Sequence, residues 1–554
     1  MDKHERSNKK MSKKKFFAAL MVLAMALTMS LAGAASATDV WEGDVGTVPS
    51  ADVNNVITIT TGAQLAGLAS AVNSGTTYAG YTVRLDDDID LDENPWTPIG
   101  YFIAYWATNR PFKGTFDGAG HSITNLKVAI TNTAYGQTAA LFGYIDYVES
   151  ASSISAASVL SASQKSAAVA NVKAAALSEA QARGLTGAAA TKFAEERAAV
   201  VETFGADASA SALRAATTTV SGGTVKNLKV YGIVTNSAGQ GAAGIVCWND
   251  GCVKDCYFSG TASISNSSNR AYVGGICSLI GEYASIENCV ASVNSTAMGS
   301  ASYAGGILGF CYVATSSPDI FDAYGSVANC SVESGSAINS AMDAGGIVGG
   351  FAYKIYNCSS AATSVLVNGG TSGAYRGGIV GGYGTGTKCY WLTGGAGQPA
   401  YLVGGGTDTT GAVTAIASLP YASVHFDPLT VAQGSSAGIT IHNYPTGAGV
   451  NVPALSGWQS ADTAIATVSN GTVTGVTVGE TVVTVSSVTS SSWLSEQILV
   501  NPECRVKVTP ASSRMAAASA SSGSGPDSSS GGCMAGFGAL ALLALVPLAL
   551  RGKK

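Results

Sequence analysis

The chain has 554 residues, of which only 12% are charged, with 30 Lys and Arg against 35 Asp and Glu. Its two ends carry ten of the basic residues and only two acids, Asp2 and Glu5, leaving 20 basic and 33 acidic residues in the body, a net of −13. Such a body excludes nucleic acid and anionic polymers held by general attraction, and it suits a soluble surface facing outward.

Seven basic residues, Lys3, Arg6, Lys9, Lys10, Lys13, Lys14 and Lys15, precede an apolar stretch over 16–31, and Ala35-Ser36-Ala37 follows. The pattern predicts a secretory signal peptide over 1–37, cut after Ala37, with the mature chain beginning near Thr38. Met11 offers a second start with a more ordinary basic region. Residues 38–146 read as short strands: 85–91, then Trp96-Thr97-Pro98-Ile99-Gly100, then 112–126 with a turn at Asp117-Gly118-Ala119-Gly120.

Residues 147–220 turn Ala-rich. Val169, Val172 and Leu177 suggest one apolar face, Phe193, Val200 and Phe204 another, and Gly184-Leu185-Thr186-Gly187 lies between. This predicts an inserted α-helical hairpin. Excising it joins 141–145 to 221–228 and restores the pattern of the flanking repeats, which leaves a binding arm, a lid or a decoration as its role.

Residues 221–400 repeat. Ala243-Gly244-Ile245, Gly274-Gly275-Ile276, Gly305-Gly306-Ile307, Gly345-Gly346-Ile347 and Gly377-Gly378-Ile379 have isoleucines 31, 31, 40 and 32 residues apart. A period of that size predicts a solenoid, whose units bury their apolar sides only by stacking. Short Ile-, Val- and Tyr-rich runs broken by Gly, Asn and Ser point to strands. The dipeptides Asp255-Cys256, Asn288-Cys289, Asn329-Cys330, Asn357-Cys358 and Lys388-Cys389 form a second landmark. Stacked in parallel, these cysteines make one inward column at the ~4.8 Å strand spacing. Asn before each suits a tight bend, and the paired glycines allow either close approach or positive φ. The fold expected is a right-handed parallel β-helix.

These Gly-Ile cores resemble the GLUG-motif repeats of bacterial surface proteins, and the stretch from Leu85 to Leu126 is similar to their first rungs. The resemblance covers roughly 56–395 apart from the insertion. It implies architecture and a surface setting, and no activity.

Residues 420–510 alternate apolar and polar residues with Gly and Asn turns, as an Ig-like β-sandwich does. Trp458-Gln459-Ser460-Ala461-Asp462-Thr463-Ala464-Ile465-Ala466-Thr467-Val468, followed by Gly471, Val473, Gly475, Gly479, Val482, Val483 and Val485, looks like the bacterial immunoglobulin-like domain of group 2. That resemblance implies a stalk. The stretch 486–497 departs from the pattern and leaves the last strand's register open.

A Ser/Ala/Gly-rich tether over 511–532 leads to Cys533, seventeen apolar or small residues over 534–550, and Arg551, Lys553 and Lys554. Residues 533–554 therefore read as a sorting or membrane segment, with a span at the lower limit for a bilayer and a basic cytoplasmic end. Gly531-Gly532-Cys533 before it resembles the Synergist-type sorting tails of diderm bacteria. That resemblance implies cutting near Cys533 by a sorting protease, with a plain membrane helix as the alternative.

Candidate chemistry is sparse. The run Asp86, Asp87, Asp88, Asp90, Asp92, Glu93 offers oxygens for Ca²⁺, or reads as strand and turn. Asp117 and His121 offer an acid–base pair, or a capped turn. The four histidines, His4, His121, His425 and His442, form no His-Glu-x-x-His motif, and Gly-x-Ser-x-Gly is absent from the sequence. The cysteines are expected to stay mostly reduced, as small buried hydrophobes. The residues thus point to no catalytic, metal or cofactor site, and to processing at Ala37 and Cys533. The reading is a surface-anchored, non-enzymatic adhesin-like or structural protein that binds host, cell or glycan ligands, contacts the membrane through its tail and binds no nucleic acid. A polysaccharide lyase or glycoside hydrolase on the same scaffold is the alternative, since β-helices often host them.

Overall fold

The computed structural model describes residues 39–103, 108–132, 138–147, 223–265, 270–281, 284–299, 301–311, 325–368, 374–394, 397–404, 409–448, 454–489 and 502–511. The signal segment, nearly all of the insertion, the tether and the tail lie outside them, and Ala37 and Cys533 with them. No helix among the described residues is long and apolar enough to cross a membrane, and the expected span over 534–550 lies outside them.

The repeat period becomes strand pairing. Each strand lies parallel to its counterpart one repeat on, as in Val225, Val253, Ile286, Val327 and Ile355, which align in one column. Within a repeat the chain visits four sheets in turn, through Lys229–Asn236, Gly241–Ala243, Val246–Asp250 and Cys252–Lys254, before Tyr257–Ile264 returns to the first. The result is mainly β, with parallel strands in stacked sheets, an arrangement compatible with a parallel β-helix.

One apolar core runs through the stack from Trp41 to Leu402. Ile245, Ile276, Ile307, Ile347 and Ile379 are all fully buried in it. The cysteine column lies there too, with Cys256, Cys289, Cys330, Cys358 and Cys389 buried and free. Burial pushes the thiols of Cys289, Cys358 and Cys389 well above their usual range, so they pack as neutral hydrophobes.

The two turn devices divide their labour. Asp255, Asn288, Asn329, Asn357 and Lys388 all take φ between 49° and 55°, so the residue before each cysteine makes the left-handed bend. The paired glycines instead serve close approach. A Cβ on Gly275 would strike the carbonyl oxygen of Gly306, and one on Gly306 that of Gly346.

The N-terminal rungs hold an element the strand reading missed, the α-helix Gly62–Asn73. Thr61 accepts from Gln64 N at 3.2 Å while Thr60 N donates to Gln64 Oε1 at 2.9 Å, a reciprocal cap that starts the helix. Leu65, Leu68 and Val72 join the apolar core.

The described residues break off at Tyr147 and resume at Gly223, where a Cβ would touch the carbonyl of Asp146. Thr224–Lys226 at once resumes pairing with Thr115–Asp117. Deleting 147–220 should therefore leave the cooperative melt and β-type circular dichroism in place, and their loss would make the segment a core element.

The described residues of 419–511 form a C-terminal module with a mixed four-stranded sheet, a three-stranded sheet and a two-stranded pair around its own core of Val431, Val473, Val483, Cys504 and Val506. The last strand, Glu503–Thr509, pairs antiparallel with Gly479–Thr489 and parallel with Leu429–Ala432, which settles its register.

Candidate functional site

Of the sequence candidates, the acidic run is the strand Ile89–Asp90 with a turn through Asp92 and Glu93, both at positive φ. Its carboxylates point to separate partners: Asp86 to Arg505 at 2.7 Å, Asp88 to Ser122 N at 2.7 Å and Asp90 to Asn125 at 2.7 Å. Asp117 accepts from Ala119 N at 2.9 Å, capping its turn, while His121 lies 3.5 Å from Asp88. The structure does not bring Asp117 and His121 together as a pair.

Two features that the sequence reading missed stand out. The first is the flank of the stack along the left-handed bends, where the C-terminal module docks. It is no separate stalk. Asn288 Nδ2 donates to the Val424 carbonyl at 2.6 Å, and Val424 N donates to Asn288 Oδ1 at 2.8 Å. Ser359 Oγ donates to the Pro420 carbonyl at 2.8 Å. Glu503 pairs with Lys226 at 2.7 Å and Lys254 at 3.2 Å, and Lys229 pairs with Asp427 at 2.9 Å.

Burial shapes the titration of this flank. It works to raise Glu503, but Lys226 and Lys254 outweigh it and hold the carboxyl at about 2. Burial pushes Asp255 up to about 7 against the pull of Lys254 and the hydrogen bond from Asn288. It lowers His425 to about 4. His425 Nε2 lies 2.6 Å from the Asn288 carbonyl, so that nitrogen carries the hydrogen of a neutral ring. A cavity of about 250 Å³ beside these groups is lined by Arg84, Asp117, Lys229, Glu480 and Arg505 among others. Most of its charges are paired, Arg505 with Glu480 and Asp86 and Lys229 with Asp427, while the buried Arg84 Nε has no partner among the described residues.

The second feature is an aromatic stripe on the outer face, separate from the apolar core. Phe102 stacks on Trp248 at 3.9 Å, and Tyr272 on Tyr303 at 5.6 Å. Phe310 lies 4.8 Å from Tyr303 and 5.5 Å from Phe351, which stacks on Tyr383 at 5.5 Å. The early rings are buried, whereas Tyr303, Phe310 and Phe351 are half-buried and Tyr383 is 52% exposed. Counted from the buried isoleucine or its equivalent, two columns sit four residues before and three after, while Phe351 and Tyr383 sit four after. Tyr272, Tyr303, Asp343 and Tyr375 make the first, and Tyr144, Trp248, Leu279 and Phe310 the second. That offset was the signal available in the sequence.

Among the described residues two carboxylates touch the stripe. Asp250 accepts from Tyr144 Oη at 3.0 Å and from Trp248 Nε1 at 3.1 Å. Asp343, 3% exposed, accepts from Tyr375 N at 3.1 Å, and burial lifts it to about 6. They stand three rungs apart, about 14 Å at the strand spacing. That exceeds the roughly 5–10 Å between the paired carboxyls of glycoside hydrolysis.

No family model matches the chain, and no curated protein matches it.

Proposed function

We propose that the chain is an exported, surface-attached and non-enzymatic protein of the adhesin-like or structural class. In this reading the stacked repeats are a right-handed parallel β-helix of GLUG type, the insertion is a helical hairpin, and the C-terminal module is an Ig-like β-sandwich. The module braces the flank of the helix, and the tail is a sorting signal. The observation that carries the proposal is the outer face. Aromatic side chains recur along it from Phe102 to Tyr383, as on a surface for an extended ligand, while Lys226, Lys229 and Lys254 are paired under the module. The lyase or hydrolase reading draws no comparable support from the stripe, whose two carboxylates are too far apart to work together on one bond.

Protease treatment of intact producing cells tests it. Release of peptides from 38–510 without lysis is expected; release only after lysis would overturn the surface assignment.

A further inference from the structure

We propose that the rungs around Ile307, Ile347 and Ile379 carry a binding site for an uncharged, hydroxyl-rich polysaccharide. Sugar rings pack along the exposed parts of Tyr303, Phe310, Phe351 and Tyr383, with Tyr383 the most open of them, and Asp343 accepts a hydrogen bond from a ring hydroxyl. The inference rests on the reading of the chain as a surface binding protein and names its ligand class.

Aromatic rings offer flat apolar faces with polar edges, which suit the C–H faces and outward hydroxyls of a pyranose. Here the rings come one or two per rung, at a rung spacing of about 4.8 Å. The buried end of the stripe fixes the exposed end: Phe310 is held against Tyr272 at 5.2 Å and Tyr303 at 4.8 Å, so the platform is preorganised. At the rim the Tyr375 and Tyr383 hydroxyls lie 3.2 Å apart, adding polar groups where a ligand stays partly solvated.

Asp343 supplies direction. Only its Oδ1 takes a hydrogen bond among the described residues, from Tyr375 N. Its Oδ2 faces Gly382, where a Cβ would stand 3.0 Å away, so the glycine leaves room beside that oxygen. An almost buried acceptor with an unfilled lone pair, set among rings, calls for a donor such as a sugar hydroxyl.

Charge decides between polymers. A carboxylate inside the site, on a body of net −13, repels polyuronates and sulfated or phosphorylated glycans. The same charge disfavours a second copy of this chain as the occupant. An uncharged polysaccharide meets neither penalty.

Affinity electrophoresis of the full chain tests the site, with native gels containing hydroxyethylcellulose, galactomannan or soluble β-1,3-glucan, and polygalacturonate as the acidic comparison. At least one neutral polymer should retard the protein, and polygalacturonate should not. Tyr383→Ala removes an exposed ring and should weaken retardation about tenfold, as should Asp343→Asn, with each variant's melting midpoint near that of the parent. Phe351→Leu keeps apolar bulk while removing the ring, and should weaken binding without unfolding. Retardation by no neutral polymer, retardation by polygalacturonate alone, or unchanged retardation in all three folded variants would overturn the site. Protease accessibility on intact cells separates this from the surface assignment. A displayed chain that no neutral glycan retards contradicts the ligand class alone.

Discussion

Ile307→Asp is expected to collapse the rung stack, while Ile233→Asp, on the solvent side of Lys229–Asn236, leaves it nearly intact. Ile307 is fully buried in the column between Ile276 and Ile347, whereas Ile233 is 51% exposed. An unpaired carboxylate at the first position costs several kcal/mol or is forced to protonate. Whole domains are held by only about 5–15 kcal/mol, and a solenoid shares stability between neighbouring rungs, so a defect there breaks the chain of interfaces. Thermal melts by circular dichroism decide it. Similar midpoints for the two variants would mean that the register is wrong, since a shift of one residue turns every side chain to the opposite face. Asp319, which the sequence places in the longest loop between repeats, lies outside the described residues.

Glu503→Lys should free the C-terminal module from the flank while leaving the rungs folded. The substitution sets a third ammonium beside Lys226 and Lys254, which now lie 2.7 and 3.2 Å from Glu503. Breaking a fully buried pair costs about 3–5 kcal/mol, and these side chains are a fifth to a quarter exposed, so about 2–3 kcal/mol is expected here. Faster hydrogen exchange at Val424, whose amide is held by Asn288 Oδ1, reports undocking. Unchanged exchange there would contradict it.

Acid acts on the same contact with a definite sign. Glu503 sits at about 2 when docked, below the ordinary 4.5, so its contribution is complete above pH 4.5 and is lost as pH falls toward 2. His425, lowered to about 4 from 6.5, loses stability as pH falls through that window. Asp255, raised to about 7 from 3.8, gains over nearly the same range. The two oppose each other, so docking should change little between pH 7 and 4.5 and weaken below 4.5. Asp255→Asn removes the opposing group and should expose a decline that begins near pH 6.5.

What could be read in advance follows the range of the interactions. The isoleucines and cysteines lie in a periodic pattern, and a period survives in a linear string; both columns fell inside the stack as the spacing implied. The bend at Asn was equally local, because asparagine tolerates positive φ better than most residues. The helix Gly62–Asn73 was missed although Thr61 and Gln64 carry a capping signature, since the flanking strands set the reading of that region. Docking of the module joins Glu503 to Lys226 and Asn288 to Val424, residues 277 and 136 apart, and no local pattern announces such pairs. The aromatic columns were hidden for another reason. Each ring looks like ordinary core until the repeats are aligned on their isoleucines, when Tyr303 and Phe310 prove to share fixed offsets with Tyr272 and Leu279.

We propose that the surface-attached body is delivered by processing at both of its ends. Mass spectrometry of the protein recovered from the surface of intact producing cells tests this most directly. The account predicts a chain that begins near Thr38 and ends at about Cys533, with Cys533→Ala accumulating uncut in the inner membrane. Recovery from that surface fraction of an intact C-terminal peptide ending at Lys554 would contradict it.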